Sequence, residues 1–241
     1  MNLRIDIHAH VLPGVDHGAK DWDMSLKMLA KCARGGTKTV IATPHYLPWK
    51  EGVTTELIRE RCKEAEDRLQ KEYGISMEIY PGHEIYYCTE LVELLKTGKA
   101  LSLAESRYVL VEFGTEESYQ TLCKAARDLR YNRYIPIFAH VERYRCLDHK
   151  EKLVELKEMG ALLQVNVGSL QGGLFDERAR RAKQWLNAGV IDFLASDMHD
   201  LEERSPITNE KLKWVQKKLD SQYQDKLLYG NAQKILAGIK E

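Results

Sequence analysis

No apolar run in this 241-residue chain approaches the roughly 18 residues that a membrane-spanning helix requires; the longest, such as 190–195, are strand-sized. An excess of one charge is also lacking. Lys and Arg number 36 against 36 Asp and Glu, with no basic run, so the usual electrostatic footprint of a nucleic-acid or anionic-membrane binder is absent. Cysteine is sparse. Cys32, Cys62, Cys88, Cys123 and Cys146 are odd in number and none forms a C-x-x-C pair, which argues against a disulfide framework and a cysteine-rich zinc site. The opening MNLRIDIHAH turns polar too early for a signal or transit peptide. A reducing cytoplasm is the expected location, with the thiols serving as small apolar residues.

What is present is ordinary in amount, 44% hydrophobic and 30% charged, and unusual in placement. The length suits one α/β domain over 1–241. The apolar pattern alternates between strand and helix periods. Strands are expected at 3–7, 39–42, 77–80, 108–113, 135–139, 162–165 and 191–195. Helices are expected between them, near 22–33, 54–73, 89–96, 116–131, 150–159 and 176–187, with further helices to the C-terminus and Asn231 as an N-cap. Short strands apolar on both faces, alternating with helices, indicate a parallel sheet.

The polar exceptions fall at strand C-terminal ends. His8 and His10 follow the first strand, His45 the second, Glu84 the third, and Glu112 ends the fourth. His140 follows the fifth; Asp197 and His199 follow the seventh. A barrel brings those ends onto one face, whereas an open sheet spreads them along a line, so the placement favours a barrel. Imidazoles and carboxylates without thiolates suit Mn²⁺, Fe²⁺ or Zn²⁺ in a catalytic site. Eight candidate ligands exceed the needs of one ion and fit two or three. Clustered cations bind a phosphate and activate water.

Other motifs have blander readings. Cys62-x5-Arg68 matches the pattern of cysteine-dependent tyrosine phosphatases. Its intervening Lys63-Glu64-Ala65-Glu66-Asp67 lies in an expected helix, and three carboxylates there would repel a phosphate. His83 reads as a core or supporting residue, and His149, Arg107 and Arg145 as surface groups. Tyr46, Tyr86, Tyr87 and Tyr144 read either as the mouth of a site for an aromatic substrate or as packing. Gly168-Ser169 and Gly172-Gly173 read either as a phosphate-approaching loop or as a turn.

The runs Asp6-Ile7-His8-Ala9-His10 and Pro13-Gly14-Val15-Asp16-His17-Gly18 resemble the opening of the polymerase and histidinol phosphatase (PHP) superfamily. Ala42-Thr43-Pro44-His45, Pro81-Gly82-His83-Glu84-Ile85, Val109-Leu110-Val111-Glu112-Phe113, Phe138-Ala139-His140-Val141-Glu142-Arg143-Tyr144 and Ala195-Ser196-Asp197-Met198-His199 narrow it. In order and spacing they are similar to the bacterial manganese-dependent tyrosine-protein phosphatases of the CpsB/CapC type. The resemblance implies a distorted (β/α)7 TIM-like barrel with three divalent metal ions, manganese above all, with iron or zinc as alternatives. His8, His10, Glu84 and Asp197 would hold one ion. Glu84, Glu112 and His140 would hold a second, with Glu84 bridging. His45, His199 and either Asp16 or His17 would hold the third. Relatives read Asp-Asp-Gly where this chain has Asp16-His17-Gly18; the alignment favours His17. Arg143 and Arg204 match the family's phosphate-binding arginines, a role that suits a planar, permanently charged fork.

The implied reaction is metal-assisted hydrolysis of a phosphomonoester without a covalent phospho-enzyme, with His45, His199 or a metal-bound water as proton donor to the leaving group. The implied substrate is the phosphotyrosine tail of a bacterial kinase that controls capsule or exopolysaccharide synthesis. Two alternatives use the same residues: histidinol phosphatase or another small-molecule phosphatase, and a non-catalytic phosphotyrosine-binding module. Neither nucleic acid nor membrane insertion is expected, and nothing in the sequence sets the oligomeric state.

Overall fold

The computed structural model describes residues 3–173 and 175–238. Among these residues nine parallel strand segments lie between helices. β1 is Arg4–Ala9, β2 Thr37–Ala42, β3 His45–Tyr46, β4 Glu78–Pro81 and β5 Glu84–Tyr86. β6 is Tyr108–Glu112, β7 Ile135–Phe138, β8 Leu162–Asn166 and β9 Phe193–Ala195. Their hydrogen-bonded orders are β1-β2-β4 and β3-β5-β6-β7-β8-β9. The second and third expected strands, 39–42 and 77–80, fall on β2 and β4, and each is followed by a short further segment that was not expected. Thr43-Pro44 separates β2 from β3, and Gly82-His83 separates β4 from β5. Pro44 cannot donate to a ladder, and Gly82 packs against Ile41 and Leu103 side chains that a Cβ would crowd.

The two sheets curl together so that the end of β1 meets the end of β9. The Asp197 N–H donates to the His8 carbonyl and the His10 N–H to the Met198 carbonyl, each at 2.9 Å. Between them Ala9 and Met198 form a parallel bridge. Inside the curl sit Ile5, Ile7, Ile41, Leu110, Ile137, Ala139, Phe193 and Ala195, all buried. Ile235, from the C-terminal helix, joins this inner layer.

The outer helices are α1 Trp22–Arg34, α2 Thr55–Tyr73, α3 Leu91–Lys96, α4 Tyr119–Tyr131, α5 Lys150–Glu158 and α6 Glu177–Asn187. The last described helices are α7 Lys213–Lys218, α8 Ser221–Asp225 and α9 Asn231–Ala237. Several starts are capped as their sequences indicate: Asp21, Thr54, Ser118 and Asp176 each accept a backbone N–H from the first turn. Asn231 is a correction. It is helical itself, continuing from a π-turn over Lys226–Gly230, so it caps nothing. Its side-chain amide instead donates to the Asp192 carbonyl at 2.9 Å. Among the described residues no helix is long and apolar enough to cross a membrane.

Candidate metal centre

The register of β1 determines where its histidines point. Pairing with β2 slips between Asp6 and Ala9. Before the slip Ile5 and Ile7 face the inner layer; after it Ala9 and Val11 belong to the outer one. The alternation therefore changes phase, and His8 and His10 both turn inward. His140 and Asp197, just beyond β7 and β9, have φ of 33° and 52°. A left-handed backbone at two non-glycine residues carries strain of order 1–3 kcal/mol each and is concentrated at functional sites.

These elements assemble a buried cluster. His8, His10, Glu84 and Asp197 each present a ligand atom within 4.8 Å of the others, as do His45, Glu84 and Glu112, and also His10, His45 and His199. His8 Nε2 and His10 Nε2 are 3.2 Å apart. Glu84 Oε2 lies 3.2 Å from the first, 3.3 Å from the second and 3.1 Å from His45 Nδ1. Among the described residues it nevertheless has no hydrogen-bond partner; neither does His199 Nε2. Ligands held about 2.1 Å from one ion stand roughly 3.0–3.4 Å from each other. The donor set, its spacing and its orphaned buried atoms fit divalent cations.

His140 Nε2 lies 2.8 Å from Glu84 Oε1 and 3.7 Å from Glu112 Oε2. His45 Nδ1 is 3.0 Å from Glu112. Glu84 thus stands between the two expected groups. The third expected group is arranged differently in part. Asp16 Oδ2 accepts from His10 Nδ1 at 2.6 Å and from the His45 N–H at 3.1 Å, while Oδ1 accepts from Gly18 N–H at 2.8 Å. Asp16 is thereby committed to bracing. His17 stays exposed, its ring stacked on His45 at 4.7 Å and tilted against His199 at 4.7 Å.

A polar chain behind the cluster escaped the sequence reading. The backbone N–H of His140 donates to Gln164 Oε1 at 2.9 Å, which identifies that atom as the amide oxygen. His8 Nδ1, 3.1 Å from the same oxygen, is then the protonated nitrogen. Gln164 Nε2 donates to Asn166 Oδ1 at 2.7 Å, and Asn166 Nδ2 donates to Asp197 Oδ2 at 2.6 Å. Both amides are buried on β8, the strand to which no chemistry was assigned. Their signal was two amides alternating in an apolar strand. Glu142, also buried, accepts from the Asn166 N–H at 3.1 Å and from Ser169 Oγ at 2.7 Å, which ties down the loop after β8.

Arg143 and Arg204 converge on Asp197. Their Nη2 atoms lie 2.8 Å from Oδ2 and 2.5 Å from Oδ1. Both line a cavity of about 180 Å³ with Asn166, Gly168 and Ser169. Burial opposes charge throughout the cluster, and at His10, His140, Glu84 and Asp197 neighbours outweigh it. Burial would lower His10, but Asp16 and Glu84 lift it to about 9. Burial and Arg143 would lower His140, but hydrogen bonds to Glu112 and Glu84 lift it to about 9. Burial would raise Glu84 and Asp197; the surrounding imidazoles hold both below the usual carboxylate range. His199 goes the other way, to about 2, through burial and the nearby His10 and Arg204 charges.

The remaining candidates take supporting positions. His83 is buried, and its Nδ1 accepts the Leu101 N–H at 2.9 Å. His149 is exposed, and Arg145 pairs with Glu116 at the surface. Tyr144 is fully buried. Cys62 is buried inside α2, and burial pushes its thiol well up, so it is no nucleophile.

A sequence model described as "Capsular polysaccharide synthesis, CpsB/CapC" matches residues 4–237. The tyrosine-protein phosphatase CpsB of Streptococcus pneumoniae is 31% identical over 96% of this chain and 98% of its own. The tyrosine-protein phosphatase YwqE of Bacillus subtilis is 34% identical over 90% and 86%. A crystal structure from work on these two proteins, described as unique metal-dependent tyrosine phosphatases, superposes with a TM-score of 0.88 at 33% identity, covering 97% of this chain and 94% of that one. An amidohydrolase from Mycoplasma synoviae, at 12% identity and a TM-score of 0.63 over 97% and 87%, shares the fold alone. The chain belongs to the CpsB/CapC family of capsular polysaccharide synthesis.

Proposed function

We propose that this chain is a metal-dependent protein-tyrosine phosphatase, a phosphoric monoester hydrolase of capsule or exopolysaccharide synthesis. The observation that carries this reading is the buried His8–His10–Glu84–Asp197 set with two arginine forks on its rim. We assign three divalent ions, manganese first. His8, His10, Glu84 and Asp197 would hold one; Glu84, Glu112 and His140 a second; His45, His199 and His17 the third. His17 is preferred because Asp16 is already committed to His10. When bound, such ions supply Lewis-acid activation of water and neutralise phosphate charge.

The chain's own residues do the rest. Arg143 and Arg204 bind the equatorial phosphate oxygens and stabilise the charge that builds on them. Asp197, shared by both forks, sets their spacing. His199 and His45 serve the third ion rather than the leaving oxygen, because burial and the His10 and Arg204 charges keep His199 unprotonated. We read the fold as one distorted (β/α)7 barrel domain, counting β2/β3 and β4/β5 as interrupted strands. The substrate class is the phosphotyrosine tail of a bacterial tyrosine kinase, met in the cytoplasm.

The test is turnover of a phosphotyrosyl peptide beside histidinol phosphate, with Mn²⁺-reconstituted protein and a chelated control. Peptide turnover that disappears with chelator supports the reading. Preference for histidinol phosphate overturns the substrate class, and turnover of neither by metal-loaded protein overturns the enzymatic reading.

A further inference from the structure

We propose that Trp49 and Tyr86 form an aromatic shelf that receives the phenyl ring of the substrate and selects aryl over alkyl phosphates; this rests on the phosphotyrosine reading. Trp49 is 67% exposed, yet its ring is not idle: it packs edge-on against Tyr86 at 4.8 Å and 79°. Such a pair holds a large apolar surface in one orientation in water.

The strand register places this pair at the metal centre. In β5, Glu84 faces the cluster, Ile85 faces the outer core, and Tyr86 returns to the Glu84 side. Tyr86 therefore stands about 6.6 Å further out along the strand, toward the open end. It is paired in register with Glu112, whose carboxylate belongs to the same cluster. Gly114 leaves room for it; a Cβ there would lie 2.9 Å from the Tyr86 hydroxyl. Trp49 comes from the loop after β3, four residues beyond His45.

The arginine forks come from strands further along the sheet. Arg143 follows β7 and Arg204 follows β9, and β6, β7 and β8 separate β5 from β9. The phosphate grip thus lies beyond β6, and the aromatic pair stands apart from it on β5 and the loop after β3. The phenyl ring is the only large apolar part of a phosphotyrosyl group, and a seryl or histidinol phosphate has no ring next to its ester oxygen. Ring-on-ring contact at the shelf distinguishes the two classes.

The experiment compares metal-reconstituted wild type with Trp49→Ala, Trp49→Phe and Tyr86→Leu. One arm measures kcat/KM for phosphotyrosyl and phosphoseryl peptides of the same sequence. The other measures Kd for a peptide carrying non-hydrolysable phosphonomethyl-phenylalanine. The aryl-to-alkyl ratio should fall about ten-fold in Trp49→Ala and Tyr86→Leu, with a matching loss in phosphonate affinity, while Trp49→Phe retains most of both. Wild-type ratios and affinities in both truncations would overturn the shelf while leaving the phosphotyrosine reading intact. A wild type that neither cleaves nor binds the aryl ligands would overturn that reading and the shelf with it. Phosphonate binding by folded Trp49→Ala, monitored by its melting transition, separates lost recognition from lost structure.

Discussion

Three histidines of the cluster are held through the nitrogen they do not offer inward. His8 Nδ1 is taken by Gln164, His10 Nδ1 by Asp16, and His199 Nδ1 by the Asp197 carbonyl at 3.0 Å. Each partner fixes a tautomer, so Nε2 reaches the centre as a lone pair available to a cation. Gln164 has the widest reach, because its one amide serves His8, His140 and, through Asn166, Asp197. Replacing it with leucine keeps the side chain's bulk and removes all three supports. Metal affinity of Gln164→Leu should fall about 10–100-fold, the usual cost of losing an outer-sphere partner. Competition with a calibrated chelator measures it. Wild-type affinity would mean that packing alone orients these ligands.

At the scale of elements, the site depends on irregularities rather than on regular strands. The slip in β1, the breaks after β2 and β4, and the left-handed residues after β7 and β9 each re-aim one or two side chains. The loop after β1 is packed just as tightly. A Cβ on Gly18 would overlap the carbonyl oxygen and Cβ of His10, which are not free to move aside. Gly18→Ala should therefore cost about 1–3 kcal/mol of stability. It should also weaken metal binding, because the same loop carries Asp16. Thermal melts with and without metal check both, and an alanine variant with wild-type values would show that the loop yields.

This scale also separates what was legible in the sequence from what was not. Strand and helix periods are local and repeated, so the order of strands and outer helices could be read. The eight ligand candidates could be read because charged and imidazole groups at apolar strand ends stand out. The slip and the two breaks could not, since they arise from pairing between distant segments. Gln164 and Asn166 were missed because amides are rarely ligands. Trp49 was missed because only its contact with Tyr86 distinguishes it from an ordinary loop residue.

Taken as a whole, the molecule carries two sets of histidines with opposite linkage to pH. His10 and His140 have folded-state values near 9, above the ordinary 6.5. Groups raised in this way stabilise fully below pH 6.5, and that contribution is lost as pH rises through 9. His83 and His199 are lowered, to about 4 and about 2, first by burial. They stay neutral in the folded chain while the unfolded chain takes up protons, so stability is lost as pH falls below 6.5. The depressed carboxylates Glu84 and Asp197 add to the loss in stronger acid, once the unfolded chain's carboxyls begin to protonate. With chelator present, the melting temperature should peak near pH 6.5 and decline towards pH 9. Divalent ions change the alkaline side. They take the place of the protons that hold His10 and His140 against the carboxylates, and a falling proton concentration then favours binding. The metal-loaded melting temperature should hold or rise from pH 6.5 to 9, so the two curves diverge. Scanning calorimetry across that window decides the matter. Parallel curves would mean that the ions do not displace these protons, and the assignment of His10 and His140 as ligands would fall.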